Sequence, residues 1–482
     1  MARRASARGP YSRLRLHPAL MAELCYLSIA EAARLIQRGE LSPVDLARAY
    51  LERIERLEPK LHSYITVTPD VALEQAKEAA AKKQGGPLRG IPVSYKDLIA
   101  TAGIRTTAAS RVYEDWIPER DAWVVARLRE RGVVTLGKAT LNEFAFSSGS
   151  EQEFITPARN PWNLHADTGL SSSGSAVAVA AGLAIASIAT DSGGSIRMPV
   201  SYCGVTGLKP TYGRIGRSGV VPLSYSCDHV GVITRSAEDA AILLTALAGR
   251  DPSDAASSDV GVPSSVELLS KNPRGLRFGV CPSYMEAAGV ETEVAAAFEN
   301  ALEVFRSLGA VVRDVEIPHL SYAPAADFTI LRIEGFNAHI RNLRDKREKF
   351  GPSAFREIAV GGLLSTTDYY RALQARTLIA GELRRVFETT DVLVTPTTPG
   401  TGITGAYTRP PRDRKVAKSD VAYLAPFNLT GSPAISIPCG FTKAGMPVGL
   451  QLVGRAFDET TIISMAHGYQ QATDWHRRRP SV

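Results

Sequence analysis

The chain has little cysteine, no long apolar run and almost no net charge in its body, and each shortage removes a class of protein. Only five of its 482 residues are cysteine: Cys25, Cys203, Cys227, Cys281 and Cys439. They are odd in number, widely spaced and without a C-x-x-C or His-rich grouping, so neither a disulfide framework nor a clustered metal site is expected. A reducing, cytoplasmic compartment fits that usage. No apolar stretch approaches the ~18–20 residues of a membrane span, and the Arg-rich start lacks the apolar middle of a secretory signal. The formal charge is +7, but Arg3, Arg4, Arg8, Arg13 and Arg15 crowd the start and Arg477, Arg478 and Arg479 the end. Without those eight the balance is 48 basic to 49 acidic residues, a net of −1. The body therefore offers no electrostatic case for a polyanionic partner.

What remains, 44% hydrophobic and 22% charged, is the composition of an ordinary globular chain able to bury a large core. Residues 1–27 read as a basic tail, disordered or a targeting segment, and 477–482 as a second basic tail. Between them, 28–476 read as a single domain. Ser28-Ile-Ala-Glu31 has the pattern of a capping box, and Ser42-Pro43 can open a second helix. Short β-branched runs at 91–99 and 133–139 alternate with a helical pattern around Trp123–Glu130, which is an α/β signature. Residues 251–265 have the composition of a surface linker, and 401–419 that of a lid or a long surface loop.

Several catalytic signatures are missing: no G-x-S-x-G, no H-E-x-x-H, and no His and Asp in a recognisable triad context. The string Gly400-Thr-Gly402-Ile-Thr-Gly405 is followed by Arg409-Pro-Pro where a nucleotide-binding helix should begin. Gly132 to Lys138 resembles a phosphate loop but has Ala139 where a Ser or Thr is required. Two glycine and serine clusters are left. In Asp191-Ser-Gly-Gly-Ser195-Ile-Arg197, consecutive glycines before a serine let successive N–H groups converge on a developing oxyanion. Such a serine needs a base. Lys96 interrupts the apolar run 91–99 and can serve if burial holds it neutral. Taken alone, Lys96 reads better as a partner of Asp97 or as a side chain reaching solvent, and the cluster at 169–175 better as a turn.

The joint pattern resembles the amidase signature family. The matching elements are Pro92-Val-Ser-Tyr-Lys96-Asp97, Gly169-Leu-Ser171-Ser-Ser-Gly-Ser175 and Asp191-Ser-Gly-Gly-Ser195-Ile-Arg197, with further likeness at Cys203 to Arg214, Asp228 to Gly231, Asp391 to Pro399 and Asn428 to Pro438. The resemblance implies the family's α/β fold, a central twisted mixed β-sheet covered by helices on both faces. It implies Ser195 as the acyl-forming nucleophile, Lys96 as the base, and Ser171 as the serine linking them through a cis peptide bond. The backbone N–H groups of Ser192, Gly193, Gly194 and Ser195 would form the oxyanion hole, with Asp191 and Arg197 bracing the loop. No cofactor and no metal are implied. Leu170 and Ser173 replace two glycines of the usual run, which leaves the assignment among Ser171, Ser172 and Ser173 open, with Ser171 preferred.

Within the family, A subunits of glutamine-dependent aminoacyl-tRNA amidotransferases usually carry Asn after the Lys-Asp pair, and Gln after both the arginine and the later Asp. Here those positions are Leu98, Met198 and His229. On that ground the expected function is a stand-alone amidohydrolase cleaving an aryl amide, anilide, small amide or carbamate, with esterase or urethanase side activity. The expected partners are a small-molecule amide or carbamate and a possible second copy of the chain, with no nucleic acid and no membrane. The alternatives are an A subunit of such an amidotransferase and a catalytically silent binding module of the same fold.

Overall fold

The computed structural model describes residues 18–82, 84–146, 154–402 and 420–482. The arginines at the start and nearly all of 401–419 lie outside the described residues, and so does the question of a lid. Described structure begins before the Ser28 capping box, with the helix Pro18–Leu24. Leu24 and Cys25 are buried, and Tyr50 Oη donates to the Cys25 carbonyl at 3.0 Å. The capping box is formed in both directions: Ser28 Oγ accepts from Glu31 N and Glu31 returns a carboxylate to Ser28 N. The helix Pro43–Leu61 starts as its sequence dictates, with Ser42 Oγ accepting from Val44 N and Pro43 in the first turn.

Among the described residues, eleven strands make one sheet. In chain order they are β1 (Tyr64–Val67), β2 (Pro92–Lys96), β3 (Val134–Ala139), β4 (Ala186–Asp191), β5 (Thr206–Lys209), β6 (His229–Thr234), β7 (Arg277–Val280), β8 (Val311–Asp314), β9 (Val392–Pro396), β10 (Ala434–Phe441) and β11 (Pro447–Val453). Their spatial order is β1-β3-β2-β4-β6-β5-β10-β11-β9-β7-β8. Pairings are mixed: β2 runs parallel to β3 and β4, and β7 to β8 and β9, while the central strands pair antiparallel. Helices cover both faces, so β2, β3, β4, β5 and β6 are buried along their whole length. This explains why their sequences run apolar without alternation.

Two features of this frame place the site. First, β2 and β4 are parallel neighbours, with Tyr95 opposite Ile188. Their carboxyl ends, Lys96 and Asp191, therefore emerge side by side, where open α/β sheets bind ligands. Second, the helix Ser173–Ala180 packs on β2 and β4, which brings the serines before it to the same edge. The stretch 251–265 is tied to the body: Asp251 accepts from Ser218 and Asp254 pairs with Arg217 at 2.8 Å. At the chain end Arg478 lies over Trp475 and Arg479 reaches Glu23 at 2.8 Å. No helix among the described residues is long and apolar enough to cross a membrane.

Gly174 is required by close approach. A Cβ there would lie 2.5 Å from Ser63 O and 2.6 Å from both Thr140 N and Thr140 O. We predict that Gly174→Ala destabilises the chain by about 1–3 kcal/mol through overpacking, seen as a lower thermal midpoint. Gly261→Ala, with nothing within 4 Å, is the control; equal midpoints for the two variants would contradict the packing argument.

Candidate active site

Lys96 ends β2 with its side chain wholly buried. Its Nζ lies 2.6 Å from Ser171 Oγ, 3.0 Å from Ser172 Oγ and 2.9 Å from Thr190 Oγ1, with the Thr190 carbonyl at 3.5 Å. All four are neutral oxygens. Burial is the main force on this amine and lowers its pKa to about 7, against an upward pull from the Asp191 and Asp228 carboxylates. Asp97 is not its partner. Consecutive strand positions point to opposite faces, and the Asp97 carboxylate instead accepts from Thr107 and faces Lys138 at 3.9 Å.

The two glycine and serine clusters meet at Lys96. Ser171 N–H donates to Ser195 Oγ at 3.4 Å, and Ser172 N–H to the Ser195 carbonyl at 3.1 Å. Both Ser171 and Ser172 touch the amine, and Ser172 Oγ also donates to the Thr190 carbonyl. Ser173 is the first residue of its helix and is not among the hydrogen-bond partners of Lys96. The hydroxyls of Ser171 and Ser195 are not hydrogen-bonded to each other. The cis bond implied at Ser171 is absent, since no cis peptide bond occurs among the described residues.

The turn carrying Ser195 is shaped by a buried ion pair. Asp191 Oδ2 accepts from Arg197 Nε at 2.9 Å and from the N–H groups of Ile196 and Arg197, while Oδ1 accepts from Arg197 Nη2, Gly194 N and Asn428 Nδ2. Burial would raise this carboxylate's pKa, but the Arg197 guanidinium overcomes it and holds the group well below the usual range. Arg197 is completed by Gln451, Asn428 and the Leu424 carbonyl. The expected oxyanion donors are thereby thinned. Gly194 N–H is committed to Asp191, and the N–H groups of Ser192, Gly193 and Ser195 are left without a protein partner among the described residues.

Three contributors receive no role from the sequence: Thr190, and Asp228 and Asn428, which there only open two of the matching stretches. Asp228 accepts from Ser192 Oγ at 2.5 Å and from the N–H groups of Leu223 and Ser224. Thr190 could have been suspected only from its place one residue before Asp191. A cavity of about 700 Å³ opens beside them, lined by Thr190, Asp228, His229, Arg217, Glu334 and Tyr369 among others. His229, which lines the cavity, gives Nδ1 to the Cys227 carbonyl and is kept neutral by burial and by Lys209. No group of three or more His, Cys, Asp or Glu side chains that could hold a metal occurs among the described residues.

Comparison with known proteins corrects the functional expectation. The chain is 42% identical to the A subunit of the glutamyl-tRNA(Gln) amidotransferase of Roseiflexus sp. (strain RS-1), over 96% of this chain and 99% of that protein. It also matches the solved structure of the corresponding A subunit of Thermotoga maritima glutamyl-tRNA(Gln) amidotransferase, with TM-score 0.80 and 35% identity over 93% of this chain and 95% of that one. A chain described with a vestigial protein complex and the origins of an s-triazine catabolic enzyme gives TM-score 0.86 at 29% identity, over 95% and 100%. The stand-alone hydrolase of aryl amides or carbamates, inferred from Leu98, Met198 and His229, does not stand against this. All three side chains are buried and none is hydrogen-bonded to Nζ of Lys96 or Oγ of Ser195; although His229 lines the cavity, three positions weigh little against a likeness that extends over nearly the whole chain. The expected partners, a small-molecule substrate with no nucleic acid and only a second copy of the chain, fall with it, because these relatives are named as one subunit of an enzyme for glutamyl-tRNA(Gln). The family model for amidases matches residues 45–463, and the chain belongs to the amidase family, whose chemistry is cleavage of a carboxamide carbon–nitrogen bond.

Proposed function

We propose that the chain is the amide-cleaving A subunit of a glutamyl-tRNA(Gln) amidotransferase, working in the cytoplasm with partner subunits and releasing ammonia from the side chain of glutamine. The observation that carries this reading is the 42% identity to such subunits over 96% of the chain. The Lys96–Ser171 contact at 2.6 Å supports its chemical half.

Lys96 is the base. An uncharged amine has two protons to donate and one lone pair to accept, which suits three short contacts to hydroxyl oxygens. The lone pair draws the proton of Ser171 while Ser171 draws that of Ser195, and Ser195 Oγ attacks the carboxamide carbon of glutamine. The Ser171 and Ser195 hydroxyls must come into contact for this step, a short movement from the present 3.4 Å approach of Ser171 N to Ser195 Oγ. Negative charge on the carbonyl oxygen is met by the N–H groups of Ser192, Gly193 and Ser195. Collapse breaks the C–N bond, the relay returns a proton to the leaving nitrogen, and ammonia departs from a γ-glutamyl ester on Ser195. Water activated by the same relay then releases glutamate.

Four outcomes are expected. Glutamine should yield ammonia at a rate that rises when the other subunits of the amidotransferase are added, and Ser195→Ala should abolish it; release from simple amides but none from glutamine, with all subunits present, would contradict the proposal. Because Lys96 works only when neutral, kcat should fall about tenfold per pH unit below about 7, and Lys96→Ala should lower kcat by roughly 10²–10⁴ without a matching rise in KM. A flat profile between about pH 5 and 8 would remove Lys96 as the base.

A further inference from the structure

One carboxyl group at the site has no use in this scheme. Asp327 lies on the buried face of the helix Ala323–Asp345 and is 1% exposed. Its Oδ1 has no hydrogen-bond partner among the described residues, which is costly for a buried polar atom unless a ligand completes it. The side chain is aimed at the turn that carries Ser195: a Cβ on Gly193 would stand 2.9 Å from Asp327 Oδ2 and 3.3 Å from Leu331 Cδ1. With no side chain on Gly193, the Asp327 carboxyl and the Leu331 methyl stand directly against the turn. The carboxyl therefore sits over Gly193, one of the three residues whose N–H remains available, at a site where Gly194 N–H is already spent on Asp191.

We propose that Asp327 is a further catalytic residue, whose un-ionised carboxyl donates a hydrogen bond to the oxygen of the scissile carbonyl beside the Gly193 N–H. The inference rests on the reading of Ser195 as an acyl-forming nucleophile. An ionised carboxylate here would repel the oxyanion, whereas a protonated one stabilises it, as an un-ionised carboxyl does in other water-poor oxyanion sites. The surroundings favour the protonated form. Burial, and next to it the negative charge of Asp191, push this group well above the usual carboxylate range. Arg376 on the helix Thr366–Thr389, Arg197 on the helix Arg197–Cys203 and a hydrogen bond from the Cys227 thiol pull the other way without overcoming burial.

The test compares Asp327→Ala, which removes the donor, with Asp327→Asn, which keeps a neutral donor of similar shape. For ammonia release from glutamine, Asp327→Ala should lose about 100-fold in kcat with KM changed less than about threefold, and Asp327→Asn should recover most of that loss. The rate at which a fluorophosphonate labels Ser195 should fall in the same order, since its phosphoryl oxygen occupies the same position. Asp327→Leu, closer in volume, replaces Asp327→Ala if the latter fails to fold. Wild-type kcat and labelling in Asp327→Ala or Asp327→Leu would overturn the proposal, and so would an Asp327→Asn variant as slow as Asp327→Ala. A wild-type chain that is labelled but releases no ammonia from glutamine refutes the substrate and leaves the Asp327 comparison in force; one that is not labelled refutes both.

Discussion

The Asp191–Arg197 pair is the interaction on which the site depends. Both side chains are fully buried, and taking two charges out of water costs several kcal/mol per ion. The cost is offset because almost every lone pair and proton is used. Asp191 takes up three backbone N–H groups of the turn that follows it, and Arg197 ties that turn to the Leu424 carbonyl, Asn428 and Gln451. Those partners come from β11 and the segment 424–428, far away in sequence, so the geometry around Ser195 is fixed by the centre of the sheet. One consequence is selective: by consuming Gly194 N–H, the pair decides which backbone donors remain for the substrate.

Lys96 is the second constraint, and it follows from the fold. A strand covered on both faces leaves its last residue in a dry environment, and β2 ends on a lysine there. With four neutral oxygens around Nζ and no carboxylate in contact, the ammonium form gains little and the free amine is favoured. The parallel register of β2 with β4 then delivers this amine next to Thr190 and the start of the Ser195 turn. Buried lysines elsewhere behave differently. Lys138 is also wholly buried, but it faces Asp97 and donates to Thr101 and Thr106, which makes it a brace between β3 and the segment after β2.

Much of this is legible in the sequence where the cause is local. The capping box at Ser28, the start at Ser42-Pro43, the helix Trp123–Glu130 and the uninterrupted apolar strands are set by neighbours a few residues apart. The meeting of Lys96, Ser171 and Ser195 is legible only through the joint pattern of three motifs, since each alone reads as a turn or an ion pair. What escapes depends on contacts between distant segments: Thr190 at the amine, Asp228 under Ser192, the capture of Gly194 N–H and the position of Asp327 over Gly193. The substrate class is misleading in the sequence for a related reason. Leu98, Met198 and His229 stand close to Lys96, Arg197 and Asp228 along the chain, but all three are buried, Leu98 and Met198 in apolar clusters, and only His229 lines the cavity.

Glutamine as the amide cleaved, and Ser195 as the residue that takes its acyl group, can be checked by quenching the complete amidotransferase in acid during turnover of glutamine and mapping the covalent adduct on this chain by mass spectrometry. A γ-glutamyl ester is expected on the peptide containing Ser195, absent from Ser195→Ala. An adduct on another residue, or none while ammonia is being released, would contradict it.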